Sequence, residues 1–262
     1  MRKYKLIKLL SKNQKYTIGL YSDRDGNKFV IKSIAGDGSI ITRKLLLNEF
    51  TMVNILSQKY NKILHFPKVK EFIKNDKSMY IVYEYIKGKV LTKHDNNYQL
   101  KVINKLLLEL KSMTNLLNDE DRKKIKIHNK LFYMSSLPIL YFFAILNNYK
   151  HINIITLAFK KCIFSFKELV KSPLTLTHRD IKPDNIIIKN KEIYLLDCEQ
   201  MVLTYSEYDI NKIYLDHNGM HINSHTLNVV LMNYICLSYC SSFGKRSLYS
   251  NKYIKMLYKI NN

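Results

Sequence analysis

Three oxygen-bearing side chains crowd one short stretch of this sequence. Asp180, Asn185 and Asp197 surround two apolar runs, Ile186-Ile187-Ile188 and Ile193-Tyr194-Leu195-Leu196, separated by the turn Lys189-Asn190-Lys191-Glu192. A hairpin folded about position 191 lays residue 185 beside residue 197. Asn185 and Asp197 then converge at its open end, with Asp180 on the loop just before it. Two carboxylates and an amide oxygen in one small volume are hard ligands. They suit Mg²⁺, which takes phosphate oxygens to complete its shell. A carboxylate not committed to metal can orient a hydroxyl nucleophile. Three unrelated surface residues would not explain why they bracket a nearly all-apolar hairpin.

The rest of the chain must position that hairpin. Residues 5–10, 15–22 and 28–34 predict three short strands, the last two joined by the turn Asp23-Arg24-Asp25-Gly26-Asn27. Leu45, Leu46, Glu49, Phe50, Val53 and Leu56 recur at helical period, which predicts a helix over 41–58. Val69–Ile73 and Ser78–Tyr85 predict two more strands. Five strands with one helix after the third make a small α+β lobe of about 85 residues. From Val90 the pattern turns helical, at 98–117, 120–133, 136–148 and 152–171. Strand character returns at Leu174, and helices are expected again at 222–241 and 247–260. The expected domains are 1–87 and 88–262, with Gly88 as a flexible point at the boundary.

Composition bounds the function. The chain has 262 residues, 47% hydrophobic and 24% charged, with 7 Gly and 4 Pro. That excludes a disordered tail, a collagen-like chain and a small disulfide scaffold. The formal charge is +22. A polyanion partner (nucleic acid, an anionic membrane surface or a phosphorylated substrate) is one reading. Compositional bias is the favoured one. The cations are 37 Lys and 6 Arg beside 25 Asn, 20 Tyr and no Trp, whereas a dedicated phosphate reader recruits Arg for its bidentate fork. None of Cys162, Cys198, Cys236 and Cys240 forms a Cys-x-x-Cys pair. Cys236 and Cys240 sit at helical spacing in an apolar run, as core residues do. A reducing, cytoplasmic compartment is expected. The first residues, Met-Arg-Lys-Tyr-Lys, are charged where a signal peptide is apolar. Leu131–Leu146, the most apolar segment, is short for a membrane span and is expected to be a buried helix, with peripheral membrane contact as the minor alternative.

Residues 178–185 read His-Arg-Asp-Ile-Lys-Pro-Asp-Asn. This resembles the catalytic loop of the protein-kinase-like superfamily. The resemblance implies a two-lobed α+β fold: a small N-lobe with a five-stranded antiparallel sheet and one helix, and a larger, mainly helical C-lobe. It implies ATP and Mg²⁺ as cofactors. By it, Asp180 is the catalytic base, Lys182 touches the transferring phosphate, Asn185 and Asp197 hold magnesium, and His178 braces the loop. It also implies an upstream lysine and an acidic helix partner. Phe29-Val30-Ile31-Lys32 stands where the family has Val-Ala-Ile-Lys, and Glu49 follows in mid-helix. Lys32 would hold the α- and β-phosphates and Glu49 would fix its direction. Tyr83-Glu84-Tyr85-Ile86-Lys87-Gly88 resembles the hinge, where backbone groups near Tyr85 bind adenine and Glu84 faces solvent or a helix end.

The departures bear on the acceptor. No Gly-x-Gly-x-x-Gly joins the first two strands; the turn there is Ser11-Lys12-Asn13-Gln14, so a polar loop would meet phosphate. Asp197-Cys198-Glu199 replaces Asp-Phe-Gly. This Asp-x-Glu form resembles aminoglycoside phosphotransferases and choline kinases, as does Tyr208-Asp209-Ile210. No Ala-Pro-Glu follows, and the 65 residues after Asp197 are few for a peptide-docking lobe. The expectation is an ATP- and Mg²⁺-dependent kinase acting on a hydroxyl of a small-molecule or glycan acceptor, with the +22 charge favouring an anionic one. An atypical serine/threonine protein kinase is the alternative, because 178–188 reads most like one. The second alternative is a non-enzymatic basic binding module, against which Lys32, Asp180, Asn185 and Asp197 all weigh.

Overall fold

The computed structural model describes residues 3–35, 38–75, 78–169, 171–216 and 248–261. The chain packs as two compact units. One comprises Met1–Lys126 with Asp180–Met201, the other Ile127–Arg179 with Val202–Asn262. The grouping follows packing rather than chain order.

The first unit opens with β1 (Lys5–Lys12), β2 (Tyr16–Ser22) and β3 (Lys28–Ile34), then α1 (Ile40–Leu56). β5 (Val69–Lys74) and β6 (Met79–Glu84) complete an antiparallel sheet in the order β1-β2-β3-β6-β5. The β2–β3 turn needs two devices. Asp23 Oδ1 accepts the N–H groups of Asp25 and Asn27, and Gly26 supplies φ +80°. The β1–β2 turn has no glycine. Asn13 Oδ1 instead accepts the N–H groups of Lys15 and Tyr16, both at 2.8 Å. Ser39 caps α1 by accepting the Thr42 N–H at 3.1 Å. Leu46, Glu49, Met52, Val53 and Leu56 form its buried face.

A second sheet in the same unit carries the apolar hairpin. β9 (Ile186–Lys189) and β10 (Glu192–Leu195) pair antiparallel, joined by Asn190 and Lys191 at positive φ. Two strands of two residues flank them: β7 (Lys89–Val90) beside β9, and β4 (Leu64–His65) parallel to β10. Neither is predicted from sequence. Gly88, expected to be a flexible point, serves a close approach. A methyl there would collide with Ile187 Cγ2 and meet the Ile188 carbonyl oxygen at 2.7 Å. α2 (Asn96–Asn115), capped by Asp95, and α3 (Asp119–Lys124), closed by an Asn118–Asp121 capping box, complete the unit.

The second unit holds α4 (Lys130–Asn147), α5 (Ile152–Leu169), β8 (Leu174–Thr177), β11 (Val202–Tyr205), α6 (Glu207–Asp216) and α7 (Leu248–Asn261). β8 and β11 pair antiparallel. Ala144, Ile154, Ile155, Ala158, Tyr208, Tyr253, Ile254 and Leu257 form one core cluster; Tyr133, Leu137, Cys162 and Tyr205 form another. The helices expected at 120–133 and 136–148 are divided elsewhere. Ile127 bridges to Leu203, and His128 donates its N–H to Leu203 O at 2.9 Å, so these residues are committed to β11. Asn129 then caps a new helix that runs through Pro138. The expected burial of Leu131–Leu146 holds for one face of α4 only. The helix expected at 222–241, with Cys236 and Cys240, lies outside the described residues. Among the described residues no single helix is long and apolar enough to cross a membrane.

Candidate active site

The hairpin builds the first part of the site. Ile186 pairs with Leu195, and Leu196 donates its N–H to Asn185 O at 2.9 Å. Asn185 and the start of Asp197 are thereby held side by side. Asp197 itself turns left-handed, at φ +60° and ψ +51°, and starts a 3₁₀ turn over Cys198–Gln200. Arg179, just before Asp180, has φ +67°. This conformation costs a non-glycine residue about 1–2 kcal/mol, so the surroundings must hold it.

Lys32 provides the second part. It lies on β3, paired with Ile18 and Ile81, and is buried. Its ammonium lies 2.6 Å from Glu49 Oε2, 2.7 Å from Asp197 Oδ1 and 3.4 Å from Glu199 Oε2. The Tyr16 ring packs against it, 4.3 Å from centroid to Nζ. α1 fixes Glu49 from one side. From the other, the neighbouring Asn48 donates its Nδ2 to Glu199 O and Met201 O, each at 3.0 Å. One helix turn thus locates both Glu49 and the segment after Asp197. Sequence reading places Glu199 in the Asp-x-Glu motif but leaves its role open, and gives no sign of Asn48 or Tyr16: neither of these two belongs to a motif, and each is recruited by packing.

Three carboxylates surround one ammonium. Oxygens of Glu49, Asp197 and Glu199 all lie within 4.8 Å of one another. Burial alone would lower the Lys32 pKa, but Glu49, Asp197 and Glu199 together hold it well above its ordinary value, so Lys32 stays charged. Burial, aided by the Asp197 and Glu199 charges, pushes the Glu49 carboxyl up to about 7 against the pull of Lys32. The cluster therefore holds surplus negative charge, which a cation can neutralise.

Asp180 and Lys182 meet beside it in sequence. Lys182 Nζ donates to Asp180 Oδ2 at 2.9 Å, and Asn185 Nδ2 donates to Asp180 O at 3.0 Å. That second bond turns the Asn185 amide oxygen the other way. His178 is fully buried. Its backbone N–H and that of Arg179 donate to the two oxygens of Asp209, each at 2.7 Å. Burial holds the Asp209 carboxyl above its usual range, opposed by His178, these two N–H bonds and Lys212.

Tyr85 is not brought into the cluster. It lies just past β6 and is 40% exposed. Glu84 pairs with Phe29, three residues from Lys32 on β3, so this segment is roughly 10 Å along the strand from the lysine. Glu84 accepts the Lys68 N–H at 2.9 Å, closing the start of β5.

No protein-family model matches the sequence, and no curated protein sequence matches it. Solved structures do match the fold. A thermostable mutant of aminoglycoside phosphotransferase APH(4)-Ia, in a ternary complex with ADP and hygromycin B, superposes with TM-score 0.69 at 10% identity, over 98% of this chain and 92% of that one. The streptomycin–ATP complex of APH(2'')-IIa gives 0.63 at 13% identity, over 99% and 92%. The macrolide 2'-phosphotransferase MphH from Brachybacterium faecium gives 0.60 at 10% identity, over 95% and 90%. The chain therefore has the α+β, protein-kinase-like fold of these phosphotransferases.

Proposed function

We propose that this protein is an ATP- and Mg²⁺-dependent kinase that transfers the γ-phosphoryl group to a hydroxyl of a small-molecule acceptor. The observation that carries the reading is Lys32 Nζ held at 2.6 Å by Glu49 and at 2.7 Å by Asp197, on the same unit as the Asp180–Asn185 loop. The matching structures are named as phosphotransferases, several with ATP or ADP bound.

Lys32 would contact the α- and β-phosphates, and its partners would hold the ammonium in place and charged. Asp180 would accept the acceptor's hydroxyl proton as the oxygen attacks phosphorus. Lys182, beside it, would neutralise charge on the transferring group. Backbone groups near Tyr85 would meet adenine. The donor set suits Mg²⁺: the carboxylate of Asp197, one-third exposed, and the amide oxygen of Asn185, both hard ligands beside a surplus of negative charge. When bound, the cation supplies neutralisation of phosphate oxygens. The chain's own part is positioning, since aligned reactants remove much of the entropic barrier.

The +22 charge favours an anionic hydroxyl acceptor, because a positive surface concentrates anions. The serine/threonine protein kinase reading keeps one observation in its favour, the Lys182–Asp180 contact at 2.9 Å. Radiolabelled ATP with a metabolite library in one arm and denatured proteome in the other separates the two. Labelled metabolite is expected; labelled Ser/Thr protein with no labelled metabolite would overturn the choice.

A further inference from the structure

α4 is apolar on two opposite sides. Its inner side presents Tyr133, Leu137 and Ala144 to the core of the second unit. Its outer side carries Leu131, Met134, Ile139, Phe142 and Leu146, exposed by 71%, 54%, 56%, 58% and 54%. At 3.6 residues per turn these five share an arc of about 140°. The other residues on that arc are Ser135, Pro138 and Ile145, and no charged side chain occurs from Leu131 to Tyr149. A surface helix ordinarily turns a polar face to water. A large contiguous apolar face instead marks a binding surface.

Charge selects the occupant. Lys130 starts the helix, and Lys150 and His151 follow its end. Basic groups at both ends of an uncharged apolar face match the boundary of an anionic bilayer. There apolar side chains enter the acyl region while ammonium groups meet lipid phosphates. A second copy fits worse, because it would bring one +22 chain against another. No single described helix is long and apolar enough to cross a membrane; a helix packed to the core on one side and apolar on the other meets a bilayer in the interface plane. We propose that the outer face of α4 docks this protein on anionic phospholipid bilayers. The inference stands apart from the catalytic reading, and its readout needs no turnover.

The test is flotation of the full chain with vesicles of phosphatidylcholine alone and of phosphatidylcholine with about one-third phosphatidylglycerol. Binding to the anionic vesicles is expected to be at least about tenfold stronger and to weaken with salt. Phe142→Glu and Leu146→Ser should each cut it about tenfold or more at unchanged melting temperature. The serine variant keeps the test decisive should the glutamate disturb folding. Equal flotation of wild type and both variants would assign binding to the general basic surface and overturn the proposal. So would absence of vesicle binding, including the case where Phe142→Glu instead breaks a self-association and hands the face to a second copy.

Discussion

Asp209 accepts the backbone N–H of Arg179 at 2.7 Å across thirty positions of sequence. Its other oxygen takes the N–H of His178. A single buried carboxylate thus pins the backbone where Arg179 adopts φ +67°, immediately before Asp180. The left-handed residue is tolerated because two hydrogen bonds to a charged group over-determine it. Asp209→Asn leaves one acceptor oxygen for two N–H donors. Stability should fall by about 1–3 kcal/mol, and turnover should fall with it as the Asp180 loop relaxes. Urea unfolding and kcat measured together check this; an unchanged midpoint would show that the loop is held by other contacts.

Lys32 and Glu49 should act as a unit. Each replacement by alanine should raise the KM for ATP and lower kcat. The double variant should be less damaging than the sum by about 0.5–3 kcal/mol in kcat/KM, as for residues in contact. Additive losses would mean that the 2.6 Å contact does not persist in the working enzyme.

Asp197 and Asp180 should fail differently. Asp197→Asn removes a charged ligand from the cluster, and turnover at limiting Mg²⁺ should drop at least ~10²-fold, the size of effect seen when a direct transition-state contact is lost. Asp180→Asn should leave nucleotide affinity nearly intact while abolishing transfer, because the role proposed for Asp180 is toward the acceptor hydroxyl and not the nucleotide. Calorimetric titration with ATP beside turnover assays separates them. Parallel loss of affinity and rate in Asp180→Asn would make it a folding or binding residue.

Gly88 should tolerate no side chain. Alanine there drives a methyl into Ile187 and the Ile188 carbonyl, in a well-packed sheet where overpacking costs about 1–3 kcal/mol. Gly26 gives the contrasting case: nothing lies within 4 Å of an added Cβ, so Gly26→Ala should cost only the strain of φ +80°. Thermal melts of the two variants compare them. A smaller loss at Gly88 than at Gly26 would contradict the close approach to β9.

What the sequence determined by itself was everything governed by local rules. β1, β2, β3, α1, β5 and β6 were legible because turn residues and apolar periods are written within each segment. The pairing of Asn185 with the start of Asp197 was legible because one hairpin between them has a single sensible register. Lys32 and Glu49 were singled out by the family resemblance, which asks for a lysine on the third strand and an acidic residue on the helix after it. Tertiary structure decided the rest, because it rests on partners far away in the chain. β4 and β7, two residues each, gain strand character only from the ladders of β10 and β9. Residues 125–129 leave the helical pattern because His128 finds a partner in β11. Glu199 joins Lys32 because Asn48 ties down the backbone at Glu199 and Met201. The two sides of α4 are equally apolar as a sequence. Only packing decides that Tyr133 and Leu137 are buried while Phe142 and Leu146 face outward, since burial is a property of neighbours rather than of residue type.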